Sequence, residues 1–357
     1  MRFVSPLLKH AVYPALHRTG WFNRIPPAGG YAVVNYHGLL PADHSDADKF
    51  LDGTLVDSQT FRKHLQFLKA HYRVIHPEDF RASIEQQQPL PPRSVLITCD
   101  DGLLNHLTDM LPILQSEDVP CLFFVTASSC GDDPGMLWYH ELYYLMRNQP
   151  LNNVDLRPPL EDGPQPRSSQ NLQSEWWSTI RRGSQLDAEA RANWMAQLRT
   201  HCGPAPALSQ QRWRLLSASD LRRLAASGMT MGAHTRTHPV LSLCSDAEAH
   251  REIQESKIEI ERTVGRPVWA FAYPFGNPGT MGQREFRFAE QAGFSCAFLN
   301  VEHWRVSGRE SEGENGTNER PSPFALPRTH VTSDMTLPEY AAHLSGFHTR
   351  LQRAVGA

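Results

Sequence analysis

Apolar residues fall along this chain in short, nearly unbroken runs separated by helix-period stretches. YAVVNYH (31–37) is rich in β-branched and aromatic residues, and SVLITC (94–99) and VPCLFFVTAS (119–128) are continuously apolar. Runs of this kind are the mark of strands buried on both faces of a parallel sheet. Between them the period changes. FRKHLQFLKAHY (61–72) carries apolar residues at 61, 65 and 68, a helical stripe with Ser58 as its cap. YRVIH and then PEDFRASIEQ predict a strand and a helix with Pro77 in its first turn. LLNHLTDMLPILQSE predicts a helix kinked at Pro112.

The alternation stops at MLWYHELYYLMRN. Residues 149–172 are rich in Pro, Ser, Gln and Asn, and EWWSTIRRGSQLDAEARANWMAQLRTH reads as one or two helices, so 136–215 is predicted to be a helical insert. Regularity returns with the helix SASDLRRLAASG, capped by Ser and closed by Gly, and the strand MTMGAHT. The long helix SDAEAHREIQESKIEIERTVG leads to the strand PVWAFAYP, a helix near 281–292 and the strand FSCAFLN. After a polar loop (305–323), FALPRTHV is a last short strand and LPEYAAHLSGFHTRLQ a closing helix. About seven strand–helix units point to a barrel-like α/β fold, in which reactive side chains gather at the C-terminal ends of strands. Residues 1–30 read as a helical arm and 31–350 as the barrel domain.

Composition narrows the class. The chain has 357 residues, 40% hydrophobic and 20% charged, as in ordinary globular proteins. A net charge of −3 gives no electrostatic case for a nucleic acid partner. The six cysteines are scattered without a C-x-x-C spacing and read as reduced thiols. Pro6, Lys9, His10 and Pro14 interrupt the apolar N-terminus, so no signal-peptide core is read there. The chain offers no span of ~20 apolar residues. The expectation is a cytoplasmic protein, at most touching the inner membrane face through a short amphipathic helix. The N-x-T at Asn315 is read as chance.

Three strand ends carry candidate chemistry. I-T-C-D-D-G (97–102) sets Asp100 beside Asp101. Asp-Gly is a common turn dipeptide, yet adjacent carboxylates at the end of a buried strand repel unless a cation or proton intervenes. G-A-H-T-R-T-H-P (232–239) places His234 and His238 on one side of a strand end. With one carboxylate, Asp101, they make a three-ligand site with an open position, the catalytic zinc arrangement. The metal would then offset the repulsion felt by Asp100 and leave it available as a base. F-A-Y-P-F-G (271–276) can form a turn that aims the Phe275 N–H at an oxyanion, with Tyr273 and Pro274 as further candidates for substrate contact.

Together the segments T-C-D-D-G (98–102), H-T-R-T-H (234–238) and A-Y-P-F-G (272–276) resemble the motifs of the polysaccharide deacetylase family, carbohydrate esterase family 4. The resemblance covers roughly 31–128 and 216–330 and leaves out 136–215. It implies a distorted, incomplete (β/α) barrel of about seven parallel strands and a metal-dependent N-deacetylase acting on an N-acetylated glycan, in a polysaccharide such as an exopolysaccharide or in a lipid-linked precursor. It implies Asp100 as general base, and Asp101, His234 and His238 as ligands of a divalent metal, foremost Zn²⁺. Two departures stand out. The family's third motif begins with an Arg that pairs with the base, where this chain has Ala272; Arg328 could reach the base from a later strand. The family's C-terminal acid motif has no clean copy, and Tyr36-His37 resembles members acting on biofilm-type exopolysaccharides, which makes His37 the expected acid and His330 the second choice. His140 reads as packing or rim, Trp138 and Tyr139 as core residues of an aromatic stripe that could also stack on sugar rings, and Cys99 as a buried replacement of the family's Phe. A deformylase or other amidohydrolase, and an inactive glycan-binding protein, are the alternative readings.

Overall fold

The computed structural model describes residues 5–25, 27, 30–40, 50–148, 172–302 and 322–354. Its centre is an all-parallel sheet made of β1 (Tyr31–Tyr36), β2 (Arg73–Val74), β3 (Ser94–Cys99), β4 (Leu122–Val125), β5 (Thr230–Ala233), β6 (Ala270–Ala272), β7 (Cys296–Phe298) and β8 (Thr329–His330). Seven strands run in the order β8-β1-β3-β4-β5-β6-β7, and the short β2 pairs with the start of β3. The curled sheet is a distorted, incomplete (β/α) barrel, as expected. Between β7 and β8 the ladder gives way to one parallel bridge, Phe298–Leu326, and irregular backbone bonds such as Arg328 N to Val301 O at 2.9 Å.

Alternation along the strands gives the barrel two apolar layers. Val33, Leu96, Phe124, Ala272 and Phe298 fill the interior, while Val34, Ile97, Phe123, Ala233 and Phe271 pack outward under helices. Both faces are therefore buried, which is why the strands read as continuous apolar runs. The interior is tight at Gly232, where a Cβ would lie 2.5 Å from Cδ1 of Phe124. The same period of two carries the inward face past the strand ends to His37, Asp100 and His234.

Helices Trp138–Asn148, Leu172–Gly183, Ala188–Cys202 and Ala207–Trp213 build a second core around Leu142, Leu145, Trp176, Ile180 and Trp194. Phe275 and Val240 of the barrel rim join that core, so it sits against the strand ends. From the N-terminal arm, Tyr13 and Phe22 are buried in the outer barrel layer, and the Tyr13 hydroxyl meets His348 Nδ1 at 2.5 Å. No described helix is long and apolar enough to cross a membrane.

Local punctuation differs in four places. Asp57, not Ser58, caps helix Ser58–His71, because its carboxylate accepts from Thr60 N. The segment around Pro112 is a π-helical turn, His106–Met110, running straight into Leu111–Ser116, so the widened turn ends just before the proline, which has no N–H to donate. The closing helix is two, Leu337–Leu344 and Phe347–Ala354, split at the left-handed Gly346 (φ +69). Within FALPRTHV only Thr329–His330 is strand. Asn315 and nearly all of the 305–323 loop lie outside the described residues, as do 149–171.

Candidate functional site

Asp100 leaves β3 at its C-terminal end and is almost fully buried. Arg328, just before β8, grips it bidentately, with Nη1 donating to Oδ1 and Nη2 to Oδ2, both at 2.7 Å. The guanidinium is itself fixed by Leu299 O (2.7 Å) and Thr98 Oγ1 (3.2 Å), and lies over the rings of Phe124 and Phe298. Asn35 Nδ2 adds a third donor to Asp100, at 2.8 Å. Burial pushes the Asp100 carboxyl up, but Arg328, His234 and His37 outweigh it and bring the pKa down to about 2. Arg328 is 1% exposed, which rules out a surface ion pair. Ala272 lies in the apolar barrel interior on β6, where the family pattern has an Arg, and Arg328 makes the pairing with Asp100 instead.

Asp101 turns the other way because its backbone is left-handed (φ +83). Its Oδ1 lies 3.5 Å from His234 Nε2 and 3.4 Å from His238 Nε2. One ligand atom from each of these three buried residues lies within 4.8 Å of the others. His234 Nδ1–H donates to Ala272 O at 2.7 Å, which fixes the tautomer and leaves the Nε2 lone pair facing Asp101. Two imidazoles and a carboxylate with no other ligand fit a divalent cation with an open position. Four of the seven described non-glycine residues with positive φ, Asp101, Thr235, His238 and Phe275, belong to the three motifs, and such strain persists only where surrounding contacts enforce it.

Phe275 (φ +61) stands over the histidines, its ring 4.9 Å from His238 and 5.4 Å from Tyr139. Its N–H has no acceptor among the described residues. Pro274 O instead takes Gly276 N at 2.6 Å, the bond that closes the turn. Tyr273 does not reach the site, contrary to the sequence reading. Alternation turns its side chain into the outer layer against Phe271 and Phe286, where the hydroxyl bonds Phe324 O at 3.0 Å.

His37 lies beyond β1 with its ring 4.7 Å from that of His330. Burial lowers its pKa against the opposing pull of Asp101 and Asp100, and its Nδ1 has no partner among the described residues. His37 thus lies within electrostatic reach of both aspartates.

Several contacts were not foreseen. Trp138 Nε1 bonds His238 O at 3.0 Å, and the Tyr139 ring lies 4.7 Å from that of His238. Trp138 and Tyr139 are core residues, but of a core whose edge is the site. The Glu252 carboxylate takes three bonds from the histidine loop, its backbone carbonyl takes a fourth from Arg236 N, and Asn35 holds Asp100. Asn35 had a legible signal, a polar residue at an inward position of a buried strand.

A model of the polysaccharide deacetylase family matches residues 192–296. The match takes in the last part of the predicted insert and does not reach 31–128, so the resemblance begins earlier in the second half than the motifs suggested. No curated protein matches the chain. Among solved structures, the Streptococcus pyogenes deacetylase PplD in complex with acetate is 14% identical, with TM-score 0.53, covering 89% of this chain and 99% of its own. IcaB from Ammonifex degensii is 18% identical, with TM-score 0.52 and coverages of 88% and 97%. A de-N-acetylase from Aggregatibacter actinomycetemcomitans is 14% identical, with TM-score 0.53 and coverages of 88% and 99%. The chain therefore carries polysaccharide deacetylase family sequence over 192–296 and the fold of solved deacetylases over most of its length.

Proposed function

We propose that this protein is a metal-dependent hydrolase that removes N-acetyl groups from an N-acetylated glycan. The observation that carries the reading is the division of labour between adjacent aspartates: Asp100 faces Arg328, and Asp101 faces two histidines. Asp101, His234 and His238 would hold a divalent ion, which we take to be Zn²⁺. Bound there, the ion would supply Lewis acidity, polarising an acyl oxygen and acidifying a water beside the ionised Asp100.

The chain's own residues do the rest. Asp100, kept ionised and oriented by Arg328 and Asn35, takes a proton from the attacking water as its oxygen bonds the acyl carbon. The Phe275 N–H donates to the oxyanion of the tetrahedral intermediate, and the buried turn gives that bond its strength. The proton taken by Asp100 is relayed to His37, which delivers it to the leaving nitrogen, so both side chains end in their starting states; the lowered pKa of His37 favours that delivery. The C–N bond breaks, acetate departs and a free amine remains on the sugar.

The domain reading, an arm at 1–30 and one domain at 31–350 with a helical insert near 136–215, is supported by the separate apolar core of the insert. A cytoplasmic location is supported by six free cysteines, five of them buried. Contact with the inner membrane face is supported by Leu7 and Trp21, exposed on the arm. The test is reconstitution. Chelation is expected to abolish amine release from N-acetylglucosamine oligosaccharides, and one equivalent of Zn²⁺ to restore it. Undiminished activity in metal-free protein would overturn the proposal.

A further inference from the structure

Between the two histidines the chain must turn sharply, and what holds that turn lies on two other elements. Thr235 is left-handed (φ +63), which points the next two N–H groups in one direction. Both reach a single oxygen, Glu252 Oε2, with Arg236 N and Thr237 N each at 2.8 Å. Glu252 Oε1 accepts the Thr237 hydroxyl at 2.6 Å. Successive N–H groups closing on one anion form a nest, and here the anion is a side chain of helix Asp246–Val264.

Glu252 is 0% exposed, so its charge needs a counterion. Arg191 supplies it from helix Ala188–Cys202, with Nη2 at 3.7 Å from Oε1. The same nitrogen bonds the Thr237 hydroxyl, and Nη1 bonds Leu186 O at 3.0 Å. The guanidinium also lies over the ring of Trp138, whose Nε1 holds His238 O. Elements from both apolar cores thus converge on the stretch that separates the two histidines.

We propose that Glu252, paired with Arg191, is a positioning residue that fixes the spacing of His234 and His238 and thereby sets metal affinity. Neither residue reaches the three-ligand cluster, so the effect travels through the Arg236–Thr237 backbone. Removing the carboxylate takes the side-chain acceptor from the Thr237 N–H and hydroxyl and leaves Arg236 N with its 3.1 Å bond to the Glu252 backbone carbonyl alone, and the loop relaxes toward backbone angles that separate the two Nε2 atoms. Supporting contacts of this kind typically change metal affinity by about 10–100-fold.

This inference rests on the metal reading above, and the experiment separates the two. Zn²⁺ affinity is measured by competition with a chromophoric chelator for wild type, Glu252→Gln, Glu252→Ala, Arg191→Met and Thr237→Val, beside thermal melting of each metal-free protein. Affinity is expected to fall about 10–100-fold in Glu252→Ala and less in Glu252→Gln, which keeps one acceptor. Arg191→Met and Thr237→Val should fall between wild type and Glu252→Ala, and they carry the test should that variant not fold. Metal-free melting points that drop while Zn²⁺ affinity stays within about twofold of wild type would make Glu252 merely structural and overturn the proposal. If wild type itself binds no Zn²⁺, the metal reading fails first.

Discussion

Replacing Arg328 with Met isolates the electrostatics of the buried pair. The side chains are of similar length, but Asp100 would keep its burial while losing two charged bonds of 2.7 Å and its only bidentate partner. Leaving a buried charge uncompensated costs about 3–5 kcal/mol. Asp100 gives an independent figure: its pKa of about 2 against an ordinary 3.8 corresponds to roughly 2 kcal/mol of stabilisation. That part is fully present above the unfolded value of 3.8 and is lost as pH falls toward about 2. In Arg328→Met the carboxyl is pushed upward instead, so the variant is penalised most at neutral pH, and the gap to wild type narrows on acidification. Urea unfolding of the metal-free protein at pH 7 and pH 4 reads both effects. The double variant Asp100→Asn/Arg328→Met should be more stable than Arg328→Met alone, because it removes the orphaned charge. A double variant no better than the single, or a loss below about 1 kcal/mol at pH 7, would refute the reasoning.

Other consequences follow from the same geometry. His37→Ala should lower kcat by about 10²–10⁴-fold with little change in melting temperature, while His330→Ala should do far less; the reverse order would move the acid role to His330. Tyr273→Phe should cost about 1 kcal/mol in unfolding free energy and leave turnover intact, since its hydroxyl serves only Phe324 O. Gly232→Ala should destabilise by about 1–3 kcal/mol, read by chemical denaturation, because its Cβ runs into Phe124. His64 and His106 are buried with pKa values lowered by burial to about 4. Folded pKa values below the ordinary 6.5 mean stability is lost as pH falls from about 6.5 to 4, by ~3 kcal/mol for each histidine. His64→Leu should remove its share from a pH titration of unfolding.

Much of this was legible in the sequence, and the limits have physical causes. Strands apolar on both faces announced the parallel barrel, and their C-terminal ends located Asp100, Asp101, His234 and His238. Tyr273 was misplaced because a turn motif was read as a unit, whereas strand alternation continues into it and sends that side chain outward. The Arg328 pairing could be raised but not decided, since no local pattern reports that a residue 228 positions from its partner enters the same barrel. Glu252 gave no signal at all. It sits in EAHREIQESKIEIE, where a charged residue reads as solvated, and only the arrival of the histidine loop and Arg191 makes its position buried. The cap of helix Ser58–His71 was missed by one residue, Asp57, because both neighbours are good caps.

In the proposed mechanism the two adjacent aspartates have separate tasks, Asp100 as base and Asp101 as metal ligand. The most direct measurement is acetate release from N-acetylated oligosaccharides by Zn²⁺-loaded wild type beside Zn²⁺-loaded Asp100→Asn, with metal content determined for both. The variant should retain a full equivalent of zinc and release no acetate above background. A variant that loses its zinc, or one that keeps both zinc and activity, would contradict it.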